Sequence, residues 1–257
     1  MRGIELFEDG CPEEALPYLR EDARCESPPG LATLYLGSLE SIRTGDVAHI
    51  DRAVSLVRGN LPEDLIVQVS GATRYGMGMT EPGLQLMRQS VALNPSRQNI
   101  WVFVTRLDNH DEHAQEALKF YNILLERDSS DTQAIIGKGS VLSGLGDLEG
   151  ARACFKEALF LSPEDATAHY ELGNVLASAP YSDYERALNE FTAAIDLGYW
   201  RPHCAWAGAG YCHHKLGRQS EAIHCAERSL QIEPNYEYAQ ELLKDARKSQ
   251  ERGETGE

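Results

Sequence analysis

The chain has 257 residues, of which 42% are hydrophobic and 25% charged, with a formal net charge of −16 at pH 7. Acidic residues are spread along it and no Lys/Arg cluster appears, which argues against a phosphate-neutralising surface and so against nucleic acid as a partner; a basic or neutral protein segment is easier to accommodate, and the charge also serves solubility. No apolar run approaches the roughly 18 residues of a membrane span and no charged-then-apolar amino terminus marks a signal peptide, so a soluble cytoplasmic protein is expected, with no membrane partner.

In chain order, 1–29 reads as part of a helix pair, with Asp9-Gly10 as a turn and Ala15-Leu16 on the second helix. Residues 30–63 form a degenerate unit through Leu36-Gly37, Gly45-Asp46 and an apolar second helix around Ala53, Leu56 and Val57. From residue 64 a ladder emerges. Gly83, Ala117 and Ala151, then Met87, Tyr121 and Phe155, then Pro95, Ser129 and Pro163, each recur in steps of 34 residues. Such a fixed period means that each unit is one helix pair that buries its apolar face by stacking on its neighbours.

The ladder divides 64–236 into five units, 64–97, 98–131, 132–165, 166–202 and 203–236. Unit 98–131 keeps Trp101, Ala117 and Tyr121 but has Thr105 and Ser129 at the Gly and Pro places. Unit 166–202 is three residues too long, with two extra residues in the turn Ala179–Asp183 and one in the exit Leu197–Pro202. Tyr238, Leu242, Leu243 and Ala246 form one apolar stripe, so 237–250 reads as a capping helix. The last seven residues, 251–257, contain nothing apolar and are expected to be disordered.

The rungs carry a packing logic of their own. Gly139, Gly173 and Gly210 fall inside helical patterns, where Gly costs about 1 kcal/mol against Ala, so each requires a close approach of the second helix. Ala151, Ala187 and Ala222 stand opposite for the same reason, and Pro95, Pro163 and Pro234 stop the second helices because Pro has no N–H to donate.

These residues identify a resemblance. Ile135, Gly139, Leu142, Ala151, Phe155, Ala158 and Pro163, with Trp206, Gly210, Ala222 and Pro234 in the last unit, resemble the Trp-x2-Leu-Gly-x2-Tyr, Ala-x3-Phe and Pro pattern of the tetratricopeptide-repeat superfamily. Ala209, His213 and Ala226 depart from it where Leu, Tyr and Phe are usual. The resemblance implies an all-α right-handed superhelix, or solenoid, of about six helix-pair repeats with a C-terminal capping helix. It also implies a concave groove lined by first helices, here by Gln68, Tyr75, Arg106, Asn109, Gln133, Tyr170, Asn174, Tyr211 and His214, with Asn99, Ser140 and Lys215 at equivalent places. Amides and tyrosines suit an extended peptide; the same residues would also serve as a solvated helix face. The Lys and Arg places of the family's terminal-carboxylate clamp hold Ile136, Cys204 and Gly208, which speaks against that ligand.

Other chemistry is thin. His203-Cys204, Cys212-His213-His214 and His224-Cys225 lie in one unit but lack CxxC or HxxxH spacing, so no metal is expected, and His213 reads as a hydrogen-bonded core histidine. The six cysteines read as free thiols in or near the core. Gly137-Lys138-Gly139-Ser140 lacks the phosphate-loop order and lies mid-helix. With no catalytic constellation and no cofactor motif, the expectation is a non-catalytic adaptor that binds a peptide or helix of another protein in the groove. The alternatives are a self-associating structural assembly, with the degenerate first units or the Tyr199-Trp200 insertion as contact and Tyr181, Tyr184, Tyr199 and Trp200 as its aromatics, and a peptide-sensing regulator.

Overall fold

The computed structural model describes residues 2–8, 11–107 and 113–255; the turn expected at Asp9-Gly10 and the groove residue Asn109 lie outside them. Among the described residues there are fifteen α-helices and no strand. The helices divide between two compact units, Met1–His113 and Ala114–Glu257.

The first unit holds α1 (Arg2–Glu8), α2 (Pro12–Cys25), α3 (Leu31–Thr44), α4 (Ala48–Val57), α5 (Glu63–Gly76), α6 (Thr80–Leu93) and α7 (Arg97–Leu107). The second holds α8 (Ala114–Arg127), α9 (Thr132–Gly144), α10 (Leu148–Leu161), α11 (Ala166–Ala177), α12 (Tyr184–Asp196), α13 (Pro202–Lys215), α14 (Gln219–Ile232) and α15 (Glu237–Thr255). Successive helices pack in pairs, α1 with α2, α3 with α4 and α5 with α6 in the first unit, and α9 with α10, α11 with α12 and α13 with α14 in the second, the all-α solenoid arrangement that the ladder predicts. The division falls between α7 and α8, inside the repeat expected at 98–131. The sequence predicts disorder from 251, whereas α15 continues to Thr255. Glu251 and Arg252 are good helix formers, so backbone bonding carries the helix past Ala246, its last fully buried residue.

Local chemistry sets the helix ends. In the second unit, Asp131, Asp147, Asp165 and Asp183 open α9, α10, α11 and α12 by accepting from the amides of Ala134, Gly150, Ala168 and Arg186, each cap contributing about 1 kcal/mol. The turn from α9 to α10 uses Gly146 at φ 82°, whose left-handed backbone lets Asp147 N–H reach back to Leu142 O at 2.9 Å.

The rung residues pack as their types require. Met87, Tyr121, Phe155 and Phe191 are fully buried, as are Ala151, Ala187 and Ala222. A Cβ on Gly139 would stand 2.7 Å from the Phe155 ring, and one on Gly173 would stand 2.9 Å from the Phe191 ring. Gly210 meets both its own second helix, at Cys225, and Leu242 of α15. The second helices α6, α10 and α14 end two residues before Pro95, Pro163 and Pro234.

Where the repeat pattern is weakest, polar side chains substitute for it. Gly30 precedes α3 and has no side chain to cap it. Glu26 does so from a distance, accepting from the amides of Gly30, Ala32 and Thr33 at 2.9, 2.7 and 2.9 Å and from the Thr33 hydroxyl at 2.7 Å. Burial alone would raise the Glu26 carboxyl, but the Thr33 hydroxyl and these amides outweigh it and hold it below the ordinary range. Glu26→Gln is therefore expected to cost about 1–2 kcal/mol at neutral pH. Because the folded value is depressed, this contribution is present above the unfolded Glu value and is lost as pH falls through the folded one. Urea unfolding of both proteins should show the gap narrowing on acidification below about pH 4.5; a pH-independent gap would assign the loss to packing instead.

Candidate functional site

In the second unit α11, α12, α13 and the start of α15 enclose an open pocket of about 540 Å³, lined by Tyr170, Asn174, Tyr184, Phe191, Cys204, Gly208, Tyr211, Tyr236 and Tyr238 with Ala177, Ser178, Ala179 and Ser182. Its rim comes from the irregular unit, since Ser178, Ala179 and Ser182 belong to the extended turn between α11 and α12. At Gly208 the Phe191 ring takes the space of the missing side chain; a Cβ there would lie 2.7 Å from it.

The rings form a connected wall. Tyr184 meets Tyr211 edge-on at 6.0 Å between centroids, Tyr211 lies 6.5 Å from Tyr238, and Tyr238 lies 6.1 Å from Tyr236. Across the pocket Tyr170 stacks on Tyr199 at 4.4 Å and tilts against Phe191 at 5.8 Å. The one-residue exit insertion thus turns Tyr199 inward as a buried support for Tyr170, while Trp200 beside it stays 72% exposed.

Electrostatically the lining is neutral. Burial raises Tyr170, against an opposing hydrogen bond from Asn174, and pushes Tyr238 up to about 12. Next to Tyr170, burial raises the Glu171 carboxyl, opposed by its hydrogen bond with Asn174. Glu171 makes no ion pair with Lys or Arg among the described residues. Lys215 lies at the margin, its Nζ 5.3 Å from the Tyr211 centroid.

Of the groove residues read from sequence, Tyr170, Asn174 and Tyr211 come together in this pocket. His214 does not line it; its Nδ1 lies 2.8 Å from Gln219 Oε1 at the start of α14. Gln133 is exposed on α9 outside the pocket.

In the first unit Gln68 corrects the expectation of a groove-facing amide: it is 7% exposed and donates to Asn99 Oδ1 at 2.9 Å. Asn99 in turn donates to Asp64 Oδ2 at 3.0 Å and Asn94 O at 2.8 Å, so these amides join α5 to α7. Tyr75 is half-buried, its hydroxyl donating to Arg106 O at 3.4 Å, and the Arg106 guanidinium donates to Thr105 Oγ1 at 2.9 Å.

The pocket tyrosines that sequence reasoning did not place in the groove are Tyr184, Tyr236 and Tyr238. Tyr238 reads as one member of the capping stripe, and only the density of tyrosines between 170 and 238 signals a common site.

Two further expectations change. His213 is not a hydrogen-bonded core histidine, since its buried Nδ1 has no hydrogen-bond partner among the described residues, and burial lowers its pKa. Cys11 and Cys25 are exposed, whereas Cys154, Cys204, Cys212 and Cys225 are buried thiols. Burial pushes Cys212 up to about 12 and Cys225 to about 11, which removes thiolate reactivity near neutral pH. Among the described residues no group of three or more His, Cys, Asp or Glu is placed to hold a metal ion.

Comparison with known proteins adds family evidence. A model described as TPR repeat matches residues 139–178, and one described as tetratricopeptide repeat matches 203–236. The chain is 26% identical over 133 residues to the Protein CTR9 homolog of Arabidopsis thaliana, covering 51% of this chain and 12% of that protein. It is 25% identical over 182 residues to the human Protein O-mannosyl-transferase TMTC1, covering 69% of this chain and 20% of that protein. The chain therefore spans only a fifth or less of the length of these two relatives. A solved tetratricopeptide repeat protein from Parabacteroides merdae superposes with a TM-score of 0.67 at 15% identity, covering 95% of this chain and 96% of that one. YrrB, described as a TPR protein with an unusual peptide-binding site, gives 0.51 at 17% identity, with 74% and 96% covered. At these identities the structural likeness concerns the fold alone.

Proposed function

The chain is a tetratricopeptide-repeat protein, and from that premise we propose that it is a non-catalytic adaptor holding a peptide or helix of another protein against the first helices of its repeats. The fold is a protein–protein interaction scaffold; the finer reading rests on one observation, the tyrosine-walled pocket that gathers Tyr170, Asn174 and Tyr211. An open concavity with an aromatic wall and a few polar groups supplies buried area and orientation together. Support for a protein rather than a nucleic-acid partner comes from the net charge of −16. No helix among the described residues is long and apolar enough to cross a membrane. A cytoplasmic setting belongs to the same reading, supported by the six cysteines, all free thiols.

Affinity capture from native extract, comparing wild type with the Tyr170→Ala, Asn174→Ala double variant, tests the proposal. A partner retained by wild type should be recovered at least about tenfold less by the variant, the loss of a hot spot of about 1.4 kcal/mol or more, while helical circular dichroism is unchanged. Equal recovery would remove the pocket from the binding surface. A self-associating structural role is the second reading, favoured by the exposure of Phe160 (85%) and Trp200 (72%). Light scattering at high concentration decides it, since a monomer leaves it no support.

A further inference from the structure

We propose that the tyrosine pocket of the second unit receives a Lys or Arg side chain projecting from a basic segment of the partner. The inference rests on the adaptor reading and names the chemistry of what that site recognises.

Five of the lining residues are tyrosines, and none of the lining residues carries a formal charge. Ring faces attract an ammonium or guanidinium through their quadrupole, most strongly where water is displaced. The protein already uses this contact: Lys215 Nζ lies 5.3 Å from the Tyr211 centroid. The methylene stem of a long cationic side chain gains apolar contact with the same rings.

A carboxyl that burial biases toward its neutral form adjoins the rings. Glu171 adjoins Tyr170, is hydrogen-bonded through Asn174, and makes no ion pair with a basic side chain among the described residues. An arriving cation would draw this carboxyl toward its ionised form and gain it as a partner. An acidic side chain or a terminal carboxylate would meet no cation in the lining itself, Lys215 being already seated on the Tyr211 ring at the margin, and would approach a chain of net charge −16. A purely aliphatic side chain would fit the rings but gain nothing from their quadrupole.

The test selects 12-residue peptides from a random phage-displayed library on the full chain, discarding those that also bind the Tyr170→Ala, Asn174→Ala variant. One selected peptide, and its analogue with norleucine for Lys or citrulline for Arg, is then titrated calorimetrically against wild type and Glu171→Gln. Lys or Arg should be enriched at one position, and the neutral analogue should bind about tenfold or more weakly, the magnitude of a desolvated cation–π contact. Glu171→Gln should weaken the cationic peptide several-fold and leave the neutral analogue unchanged. Pocket-dependent peptides without such enrichment, or equal binding of both analogues, would overturn the proposal and leave the adaptor reading standing. If no peptide distinguishes wild type from the pocket variant, both fall.

Discussion

Phe191→Ala is expected to lower the stability of the second unit by about 3–5 kcal/mol, the usual cost of deleting a buried aromatic ring. Phe191 is 1% exposed, and its ring occupies the space left by two missing side chains, one at Gly173 of its own repeat and one at Gly208 of the next. It therefore joins α11, α12 and α13 at one point. Neither glycine can fill the void, because neither has a side chain to reorient, so the cavity term remains large. In a repeat array each interface contributes to the stability of its neighbours, so hydrogen exchange should accelerate across all three helices. Urea unfolding gives the free energy; a loss below about 1 kcal/mol would mean that neighbouring rings collapse into the space. Because Phe191 also lines the pocket, the variant should bind poorly even where it remains folded.

The second large effect is expected from a matched pair in α9. Gly139→Leu should destabilise by about 1–3 kcal/mol through overpacking, because a Cβ there would lie 2.7 Å from the Phe155 ring and 3.1 Å from Cys154 Cβ. A Cβ on Gly144, at the end of the same helix, would meet nothing within 4 Å, so Gly144→Leu should be neutral or stabilising by up to about 1 kcal/mol through helix propensity. Thermal unfolding of the two variants separates the explanations. If both move together, backbone preference dominates; opposite signs identify Gly139 as a contact glycine.

Much of the fold was legible because the repeat is written in local terms. Pro163 and Pro234 predict where α10 and α14 stop, and the Gly139, Ala151 and Phe155 rungs predict a close helix pair; both are observed. The extended turn at 179–183 falls between α11 and α12 as its sequence suggests. The site was legible only in part. Tyr170, Asn174 and Tyr211 follow from their places in the repeat, but Tyr238 carries the same sequence signal as any apolar-stripe residue. Gln68 has the composition of a groove residue and is nevertheless consumed by Asn99.

The sequence by itself determined the helix period, the approximate ends of the helices and the small residues at which pairs approach, because these depend on local backbone preference and on the size of single side chains. Only the tertiary structure decided which rings share a pocket, that Tyr199 turns inward to support Tyr170 while Trp200 does not, and that Glu26 caps a helix four to seven residues away. These outcomes depend on how neighbouring helices cross and on where irregular turns deliver a side chain, and a one-dimensional period of 34 residues carries no information about either.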